Sequence, residues 1–546
     1  MSKRNILFIM CDQLRYDYLG CTGHPYIKTP NIDALARRGV NFTNTFCQSP
    51  SCGPSRMSTY TGRYVSSHGS SSNWAPLRVG EKNIGHHLNA LGMRTVLVGK
   101  THMIADKEGM ERLGVDPESF IGVHHSQAGF EAYERDDGVH PDGMVKPDLK
   151  YNKYLKSKGY NEDDNPWHWA ANSVDTDSGV RSGFFNDKVD LAARVSDEDS
   201  ETPYMTRRAI DFLTEEGNQE PWLLHLSFIK PHWPYVAPAP YNTMYSSKDI
   251  IPAIKSKAEL ENTNQLFKHF MERVSGKTFA KEVARETVIP TYMGLISQID
   301  DQLGILFDFM DKKGLLDNTM IIFTGDHGDY LGDHWMGDKD YFHDQAVKVP
   351  LIIADPSSAA DGTRGSKDQS LVELIDLLPT FIEHQGGSVA RNVLDGCSLL
   401  SKIRGKETEG TKWRDYTVSE FDYSCQVFRP KTNKTPLECR SYMVATKEWK
   451  YIYAPGFSPV LFDLKNDPNE LVDLGRSEQH QDILNLMFSK LAEWSLQYRQ
   501  RETWSEEHNE HMTGIEEKLG VPIGYWDEAS AEGKDPSMLP VRNAKK

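Results

Sequence analysis

The sequence is poor in cysteine, and its cysteines follow no spacing typical of disulfides or zinc sites. There are seven in 546 residues, whereas disulfide-stabilised domains carry a dense, even-numbered set. We therefore expect no disulfide framework and no thiolate zinc site. Six of them are predicted to be ordinary packing or surface residues: Cys11, Cys21, Cys47, Cys397, Cys425 and Cys439. The seventh, Cys52, has different neighbours.

Long hydrophobic runs are also missing. A transmembrane helix needs about 20 consecutive apolar residues, and no stretch of this chain approaches that length. The first apolar run, residues 6–10, ends in Cys11 and Asp12, whereas a secretory signal has roughly 7–15 apolar residues and a small-residue cleavage site. It is more typical of a buried first strand. The sequence therefore predicts a cytoplasmic protein with no membrane partner.

The chain has fewer basic than acidic residues. The chain has 62 Lys and Arg against 78 Asp and Glu, a formal net charge of −16. Proteins that bind nucleic acid or anionic membranes usually carry a basic patch, so we expect neither partner. An anionic small molecule stays compatible, because a few local cations can dominate one pocket. The hydrophobic content of 38% and charged content of 26% are typical of a globular protein.

Predicted strands and helices alternate along the first 400 residues. This pattern predicts an α/β fold, with a large mixed, mostly parallel sheet covered by helices. The predicted strands are residues 5–10, 41–46, 94–98, 221–228 and 319–324, and the predicted helices are 29–36, 83–91, 292–310 and 371–383. Residues 103–220 are polar and rich in Asp, Gly and Asn. We interpret them as long insertions with little regular structure.

The pattern changes beyond residue 400. Short predicted strands at 442–446, 449–453 and 460–463 precede a predicted helix at 482–500. They predict a small antiparallel sheet with a helix. We expect a large domain at 1–400, a small α+β subdomain at 401–500 and a polar arm at 501–546 that is loose or packs on another subunit.

Polar side chains directly follow four of the predicted strands. They are Asp12 and Gln13, Lys100 and His102, Lys230 and His232, and Asp326 and His327. A single polar residue after a strand is usually a turn or a helix cap. However, the carboxyl ends of parallel strands meet at one edge of the sheet, where ligands bind. We therefore expect these side chains to form one site.

Three of these residues are candidate metal ligands. Asp12, Asp326 and His327 offer two carboxylates and an imidazole. Carboxylate oxygens suit Ca²⁺, Mg²⁺ or Mn²⁺, and an imidazole moves the preference toward Mn²⁺ or another transition metal. The prediction is one divalent ion, Mn²⁺ or Ca²⁺. Taken alone, Asp12 could instead be a helix N-cap.

Cys52 lies in the segment Pro-Ser-Cys-Gly-Pro-Ser-Arg at residues 50–56. A cysteine beside Arg56, in a Gly/Pro turn that leads into a predicted helix, is not typical of a packing residue. Its chemistry allows a thiolate of low pKa that acts as a nucleophile. It equally allows a precursor of another reactive group.

These residues together resemble the formylglycine-dependent sulfatases of the alkaline phosphatase superfamily. Residues 52–56, followed by Thr61 and Gly62, resemble the C-x-P-S-R signature with its trailing T-G, and residues 92–102 resemble the second signature, which ends in G-K-x-H. His232 resembles the family's H-x-P site, and Lys339, twelve residues after His327, resembles its active-site lysine. The resemblance covers roughly residues 4–475.

The resemblance implies a mechanism. A maturase partner oxidises Cys52 to formylglycine, whose hydrated aldehyde is both nucleophile and metal ligand. Arg56 orients it, and Asp326 is a proton acceptor as well as a ligand. Lys100, His232 and Lys339 surround the sulfuryl oxygens, and Lys339 or His232 protonates the leaving alcohol. His102 is the base that completes the cycle.

The chain departs from many sulfatases at its metal residues. Those enzymes have two aspartates after the first strand and Asp-Asn at the other end of the site, where this chain has Asp12-Gln13 and Asp326-His327. This variant resembles phosphonate monoester hydrolases, choline sulfatases and bacterial arylsulfatases. Asn73 resembles a substrate-binding residue of that group, and Gln13 is a candidate outer-sphere residue. Lys100 and His102 favour the sulfate-ester type.

Two alternatives stay open. One is a phosphonate monoester hydrolase or phosphodiesterase with the same core, since the reactions share an in-line displacement. The other is a non-catalytic protein that binds sulfated ligands with Cys52 unconverted. Single residues also have structural interpretations: Lys100 as a surface lysine, His232 as a core histidine and Lys339 as a salt-bridge partner. By analogy with the group, we expect a homodimer or homotetramer that acts on a small sulfate ester.

Overall fold

A mixed nine-stranded sheet forms the centre of the described chain. The computed structural model describes residues 5–138, 149–161, 165–175, 177–217, 221–261, 263–406, 413–497, 503–519 and 526. Its strands are β1 (Asn5–Asp12), β2 (Val40–Phe46), β3 (Arg94–Gly99), β4 (Glu131–Arg135), β5 (Asn172–Asp175), β6 (Gly179–Ser182), β7 (Trp222–Pro231), β8 (Thr319–Gly325), β9 (Lys348–Ala354), β10 (Lys367–Asp368), β11 (Val372–Glu373), β12 (Thr417–Asp422), β13 (Arg440–Ala445), β14 (Trp449–Tyr453) and β15 (Val460–Asp463). The large sheet has the order β10-β2-β9-β8-β1-β7-β3-β4, with β11 also paired to β2.

Helices cover both faces of this sheet. The helices of the described residues are α1 (Pro30–Arg38), α2 (Cys52–Thr61), α3 (Val65–His68), α4 (Ile84–Asn89), α5 (Lys107–Arg112), α6 (Phe120–His125), α7 (Lys150–Ser157), α8 (His168–Ala171), α9 (Glu201–Glu216), α10 (Ala258–Glu261), α11 (Gln265–Met271), α12 (Val274–Phe279), α13 (Glu282–Lys312), α14 (Asp344–Val347), α15 (Leu377–His384), α16 (Leu400–Ile403), α17 (Gln481–Leu496), α18 (Glu506–Met512) and α19 (Ile515–Lys518). No helix among the described residues is both long and apolar enough to cross a bilayer.

The central strand β1 explains how the two cores form. Every residue of β1 is buried, because parallel strands β7 and β8 flank it and helices cover both faces. Successive side chains point to opposite faces of a strand. Ile6, Phe8 and Met10 therefore enter one hydrophobic core, and the alternate residues Leu7 and Ile9 enter the other.

The small sheet β12-β13-β14-β15 is antiparallel throughout. Helix α17 covers it, and Leu484, Met487, Leu491 and Trp494 of α17 share a core with residues from all four strands. The α/β class and the additional antiparallel sheet are confirmed.

Two local predictions were wrong. The predicted helix at 371–383 begins as strand β11, because Val372 and Glu373 pair with Thr45 and Phe46 of β2; the helix itself is Leu377–His384. The segment 103–220 has more regular structure than expected, including the 16-residue helix α9 and the β5–β6 hairpin. Residues 498–500 of the predicted last helix and most of the 501–546 arm lie outside the described residues.

Candidate active site

Four adjacent strands bring their carboxyl ends to one edge of the large sheet. Strands β3, β7, β1 and β8 are parallel neighbours. Asp12 is the last residue of β1, Lys100 follows β3, His232 follows β7, and Asp326 follows β8. All four of these side chains are buried. The topology therefore gathers these four residues in one place, whereas Lys230 lies inside β7 and its Nζ donates to the Pro234 carbonyl at 2.8 Å.

Cys52 is the first residue of helix α2, all of which is buried. Its Sγ lies 3.0 Å from His327 Nε2, 3.1 Å from Lys339 Nζ and 3.5 Å from Asp12 Oδ1. Burial and Asp12 raise the pKa of the Cys52 thiol, but the charges of Lys339, Lys100 and His327 outweigh them and lower it to about 5. The site therefore favours an anionic atom at position 52.

Asp12, Cys52, Asp326 and His327 form a candidate metal centre. Each offers one ligand atom, and these atoms lie within 4.8 Å of one another in the buried site. His327 Nδ1 donates to the carbonyl of Gly328 at 2.9 Å, which leaves Nε2 facing the cluster as a ligand requires. Two buried carboxylates, an imidazole and an oxygen or sulfur at position 52 fit a divalent cation.

Arg56 connects the carboxylates to two other strands. Its Nε donates to Asp326 Oδ2 at 2.7 Å, and its Nη1 donates to Ser227 Oγ at 2.8 Å and to the Lys100 carbonyl at 3.1 Å. Its Nη2 lies 3.6 Å from Asp12 Oδ2. The observed contacts of Arg56 are thus with the metal-site carboxylates, with Ser227 of β7 and with Lys100, the residue that follows β3.

Gln13 links the cluster to the neighbouring polar residues. Its backbone N–H donates to Asp326 Oδ1 at 2.9 Å, its Nε2 donates to Asp329 Oδ2 at 2.5 Å, and its Oε1 accepts from Lys339 Nζ at 2.9 Å. Tyr235 OH also donates to Asp329 at 2.5 Å. Burial and the charge of Asp338 raise the pKa of Asp329 to about 6.

Lys339 and His232 form a hydrogen-bonded pair beside Cys52. Lys339 Nζ lies 3.0 Å from His232 Nε2, and His232 Nδ1 lies 2.6 Å from the Trp233 carbonyl. A carbonyl only accepts, so Nδ1 carries the proton and Nε2 accepts from the lysine. Burial and the charge of Lys339 lower the pKa of His232 to about 4. Burial lowers the pKa of Lys339, but the charges of Cys52 and Asp338 outweigh it and raise that pKa.

Lys100, which follows β3, contacts the cluster, and His102 lies two residues further along the chain. Lys100 Nζ pairs with Asp12 Oδ2. The backbone of His102 has a φ of 56° and donates to Asp137 Oδ1 at 2.9 Å. Among the described residues, the hydrogen bonds of Cys52 include none with His102. Burial and the charge of Lys100 lower the pKa of His102 to about 3.

Asn73 lies beside the start of α2. Its Oδ1 accepts from the Gly53 N–H at 2.8 Å and from Ser51 Oγ at 3.1 Å. Its oxygen is therefore committed to the segment that carries Cys52.

The sequence interpretation missed four residues that hold the site in place. Ser227, Asp137, Asp329 and Tyr235 support Arg56, His102 and Gln13. Only Asp329 had a local signal, because it belongs to the Gly-Asp-His-Gly-Asp run after β8. The other three are distant in sequence from the residues that they support.

Known proteins resemble this chain over most of its length. The family model described as Sulfatase matches residues 4–387, and one described as N-sulphoglucosamine sulphohydrolase, C-terminal, matches residues 332–497. A multifunctional alkaline phosphatase superfamily protein of Trinickia caryophylli is 30% identical over 92% of this chain and 97% of its own. An arylsulfatase of Clostridium perfringens is 28% identical over 89% and 93%.

Solved structures agree in fold. The phosphonate monoester hydrolase of Agrobacterium radiobacter has a TM-score of 0.77 and 27% identity, and covers 90% of this chain and 95% of its own. That of Silicibacter pomeroyi has a TM-score of 0.78 and 26% identity, with the same coverage. With a family model matched over residues 4–387 and a relative 30% identical along nearly the whole chain, this protein belongs to the sulfatase family.

Proposed function

We propose that this protein hydrolyses a sulfate monoester of an aryl or small alkyl alcohol, with residue 52 as the nucleophile. One observation carries the proposal: Cys52 Sγ lies within 3.1 Å of both His327 Nε2 and Lys339 Nζ, at the start of a buried helix. The nucleophile position thus adjoins both a candidate metal ligand and a cation for an anionic substrate. Sulfuric ester hydrolysis is the activity of the family.

Two groups would complete the site. Asp12, Asp326, His327 and residue 52 would hold one divalent cation, Mn²⁺ or Ca²⁺, which supplies Lewis acidity and lowers the pKa of a coordinated oxygen. Formylglycine made from Cys52 would supply the nucleophilic oxygen. The imidazole of His327 favours Mn²⁺ over Ca²⁺.

The cationic side chains bind and orient the substrate. Lys100 and Lys339 flank the cluster, where they stabilise the negative charge of the sulfuryl oxygens. His232 is neutral and accepts from Lys339. The proton for the leaving alcohol therefore resides on Lys339 Nζ, and His232 holds that ammonium in place.

Arg56 and His102 have supporting and proton-transfer roles. Arg56 is a positioning residue that fixes the orientation of Asp326. His102 is the proposed base that restores the nucleophile, and a neutral imidazole suits that task. Asp137 holds its backbone. Asn73 is a proposed substrate contact through its amide nitrogen, since its oxygen is already bonded.

A phosphonate monoester or phosphodiester is the second candidate substrate. Two relatives of similar fold at 27% and 26% identity are phosphonate monoester hydrolases. Relative kcat/KM for an aryl sulfate, a phosphonate monoester and a phosphodiester decides between the two. A tenfold preference corresponds to only about 1.4 kcal/mol of transition-state stabilisation, so modest changes in the pocket set it.

The nature of residue 52 is tested by peptide mass. Trypsin releases residues 39–56, which also contain Cys47 as an internal thiol control. In protein from the native host we expect one alkylated thiol, at Cys47, and an aldehyde at position 52. Two alkylated thiols would refute the formylglycine mechanism and favour either the non-catalytic binding protein or an enzyme whose nucleophile is the Cys52 thiolate.

The metal centre is tested by thermal unfolding. Adding Mn²⁺ to chelator-treated protein is expected to raise Tm, because an ion that binds only the folded state stabilises it by about 2.7 kcal/mol at a concentration of 100 Kd. Asp326→Asn should abolish the shift. Asp308→Asn, on the exposed face of α13, is the matched control and should keep it. An equal shift in Asp326→Asn would contradict the ligand set.

The domain division, the maturase, the homo-oligomer and the cytoplasmic location stay predictions from sequence.

A further inference from the structure

The turn that follows the β5–β6 hairpin lies next to the segment that carries His232. Gly183 and Phe184 form this turn directly after β6. Phe184 is 42% exposed, although it is a large apolar side chain. Neither the family signatures nor the proposed catalytic residues include any part of this hairpin. Its position nevertheless places an aromatic side chain near the reaction centre.

The hairpin is fixed in place rather than free. Gly183 N–H donates to Asn172 Oδ1 at 3.2 Å, and a Cβ at Gly183 would lie 2.6 Å from Val236 Cγ2 and 2.0 Å from the Ala171 carbonyl. The hairpin also bridges from Ser173 to Ala193. These close contacts hold the turn against the chain that follows His232.

Three rings run outward from the catalytic pair. The His232 and Trp233 rings have centroids 4.6 Å apart, and those of Trp233 and Phe184 are 6.1 Å apart at an angle of 63°. Trp233 is half-buried. His232 accepts from Lys339, the proposed proton donor to the leaving oxygen. The three rings therefore form a continuous row from His232 through Trp233 to Phe184.

Arg181 and Asp175 of the hairpin form an ion pair. Arg181 Nε lies 3.8 Å from Asp175 Oδ2, so the two strands present a cation and an anion as a pair. A charged leaving group would find no unmatched partner in that pair, whereas a flat apolar group gains from contact with exposed rings.

We propose that Trp233 and Phe184 form a leaving-group surface that selects sulfate esters of extended, two-ring phenols over single-ring phenols. This inference rests on the proposed sulfatase activity and adds its specificity determinants. Trp233 contacts the ring that bears the ester oxygen. Phe184 contacts the second ring.

The test compares phenyl sulfate with biphenyl-4-yl sulfate. In Phe184→Leu, the kcat/KM ratio of the biphenyl to the phenyl ester should fall about 3- to 10-fold, the value of one aromatic contact. Trp233→Leu should lower kcat/KM for both esters. Phe185→Leu is the matched control, since Phe185 is the next residue and is 71% exposed; its ratio should equal that of the wild type. The two sulfate esters differ in intrinsic reactivity, but this difference is the same for every variant. It therefore cancels when the kcat/KM ratio of a variant is divided by that of the wild type.

Two results would overturn the surface. One is an unchanged ratio in Phe184→Leu, and the other is an equal fall in Phe185→Leu. A wild-type protein that turns over neither sulfate would refute the sulfatase proposal instead. The same ratio is then measured with phenyl and biphenyl-4-yl methylphosphonates, where a fall in Phe184→Leu but not in Phe185→Leu supports the surface and an unchanged ratio in Phe184→Leu overturns it.

Discussion

Arg56 carries a permanent positive charge in a site where none of its side chain is exposed. Burying such a charge is costly unless carboxylates and hydrogen bonds satisfy it. Asp326, Ser227 and the Lys100 carbonyl supply those partners. The planar guanidinium reaches all three in fixed directions, which an ammonium cannot do. Arg56 therefore sets the distance between the strand ends that carry the proposed metal ligands.

Arg56→Lys keeps the charge but loses this geometry. We expect kcat/KM to fall at least about 100-fold, the effect of a misplacement near 1 Å, and the free energy of unfolding to fall by about 1–3 kcal/mol. Steady-state kinetics and urea unfolding measure both. Arg94→Lys is the control, because Arg94 pairs with Glu131 on the surface and should change stability by less than about 1 kcal/mol. Wild-type kcat/KM in Arg56→Lys would exclude the positioning role.

At the scale of single residues, local sequence patterns identify the reactive residues better than the residues that hold them in place. Cys52 stands in a compact motif, and Asp326 directly follows an apolar strand, so both were predicted. Tyr235 and Asp137 hold Gln13 and the backbone of His102, yet nothing near them in the sequence indicates it. Their roles arise only when distant segments fold together.

Helix α2 is the element that presents the nucleophile. It begins at residue 52, so its free N–H groups and the positive end of its dipole lie beside the reactive atom. Asn73 satisfies the Gly53 N–H from outside the helix. A Cβ at Gly53 would approach Asn73 Cα to 3.0 Å. This close contact couples the loop around residue 73 to the helix start.

Substitutions at Asn73 separate its two proposed roles. Asn73→Ala loses the acceptor and should lower the free energy of unfolding by about 1 kcal/mol, as for a lost helix cap. Asn73→Asp keeps an acceptor oxygen, so its stability should stay near that of the wild type. It loses the amide N–H and adds a charge that repels an anionic ester, so its kcat/KM should fall at least about tenfold. If kcat/KM of Asn73→Asp equals that of the wild type, Asn73 does not contact the substrate, and its role is limited to the hydrogen bonds at the start of α2.

Secondary structure was predictable where one local pattern decides it. Strand β1 is buried on both faces and is therefore apolar from Ile6 to Cys11. By contrast, Val372 and Glu373 continue a helical pattern in sequence but form β11, because β2 offers them an edge. Strand β9 was not predicted either, and it pairs antiparallel with both β2 and β8. Pairing with β2, hundreds of residues away in sequence, is common to both cases.

At the scale of the whole molecule, a buried polar cluster joins the two sheets. Glu373 of β11 accepts from the Val418 N–H of β12 and from Tyr64 OH, each at 2.8 Å. Arg414 Nε lies 3.3 Å from Glu373, and Arg414 also binds Asp376. Tyr64 lies just beyond α2, the helix that begins with Cys52. The small sheet is therefore fastened to the part of the large domain that carries the proposed nucleophile.

This cluster predicts a pH dependence of stability. Burial raises the pKa of Glu373 from 4.5 to about 7, with Arg414 lowering it and Asp376 raising it. Between these values the folded state keeps a proton that the unfolded state has released, so raising the pH through this range lowers the free energy of unfolding. Glu373→Gln cannot titrate. The difference in unfolding free energy, wild type minus Glu373→Gln, should fall between pH 4.5 and about 7 and stay constant above that.

Urea unfolding at closely spaced pH values measures this difference. Glu448→Gln is the control, because Glu448 is exposed beside the same small sheet and its curve should run parallel to that of the wild type. If the Glu373→Gln curve also runs parallel, the proton is not taken up at Glu373. If the difference instead rises with pH, Glu373 is ionised in the folded protein and Arg414 stabilises it as an ion pair. The sign of the slope therefore decides whether the two sheets are joined by a neutral carboxyl group or by a charged one.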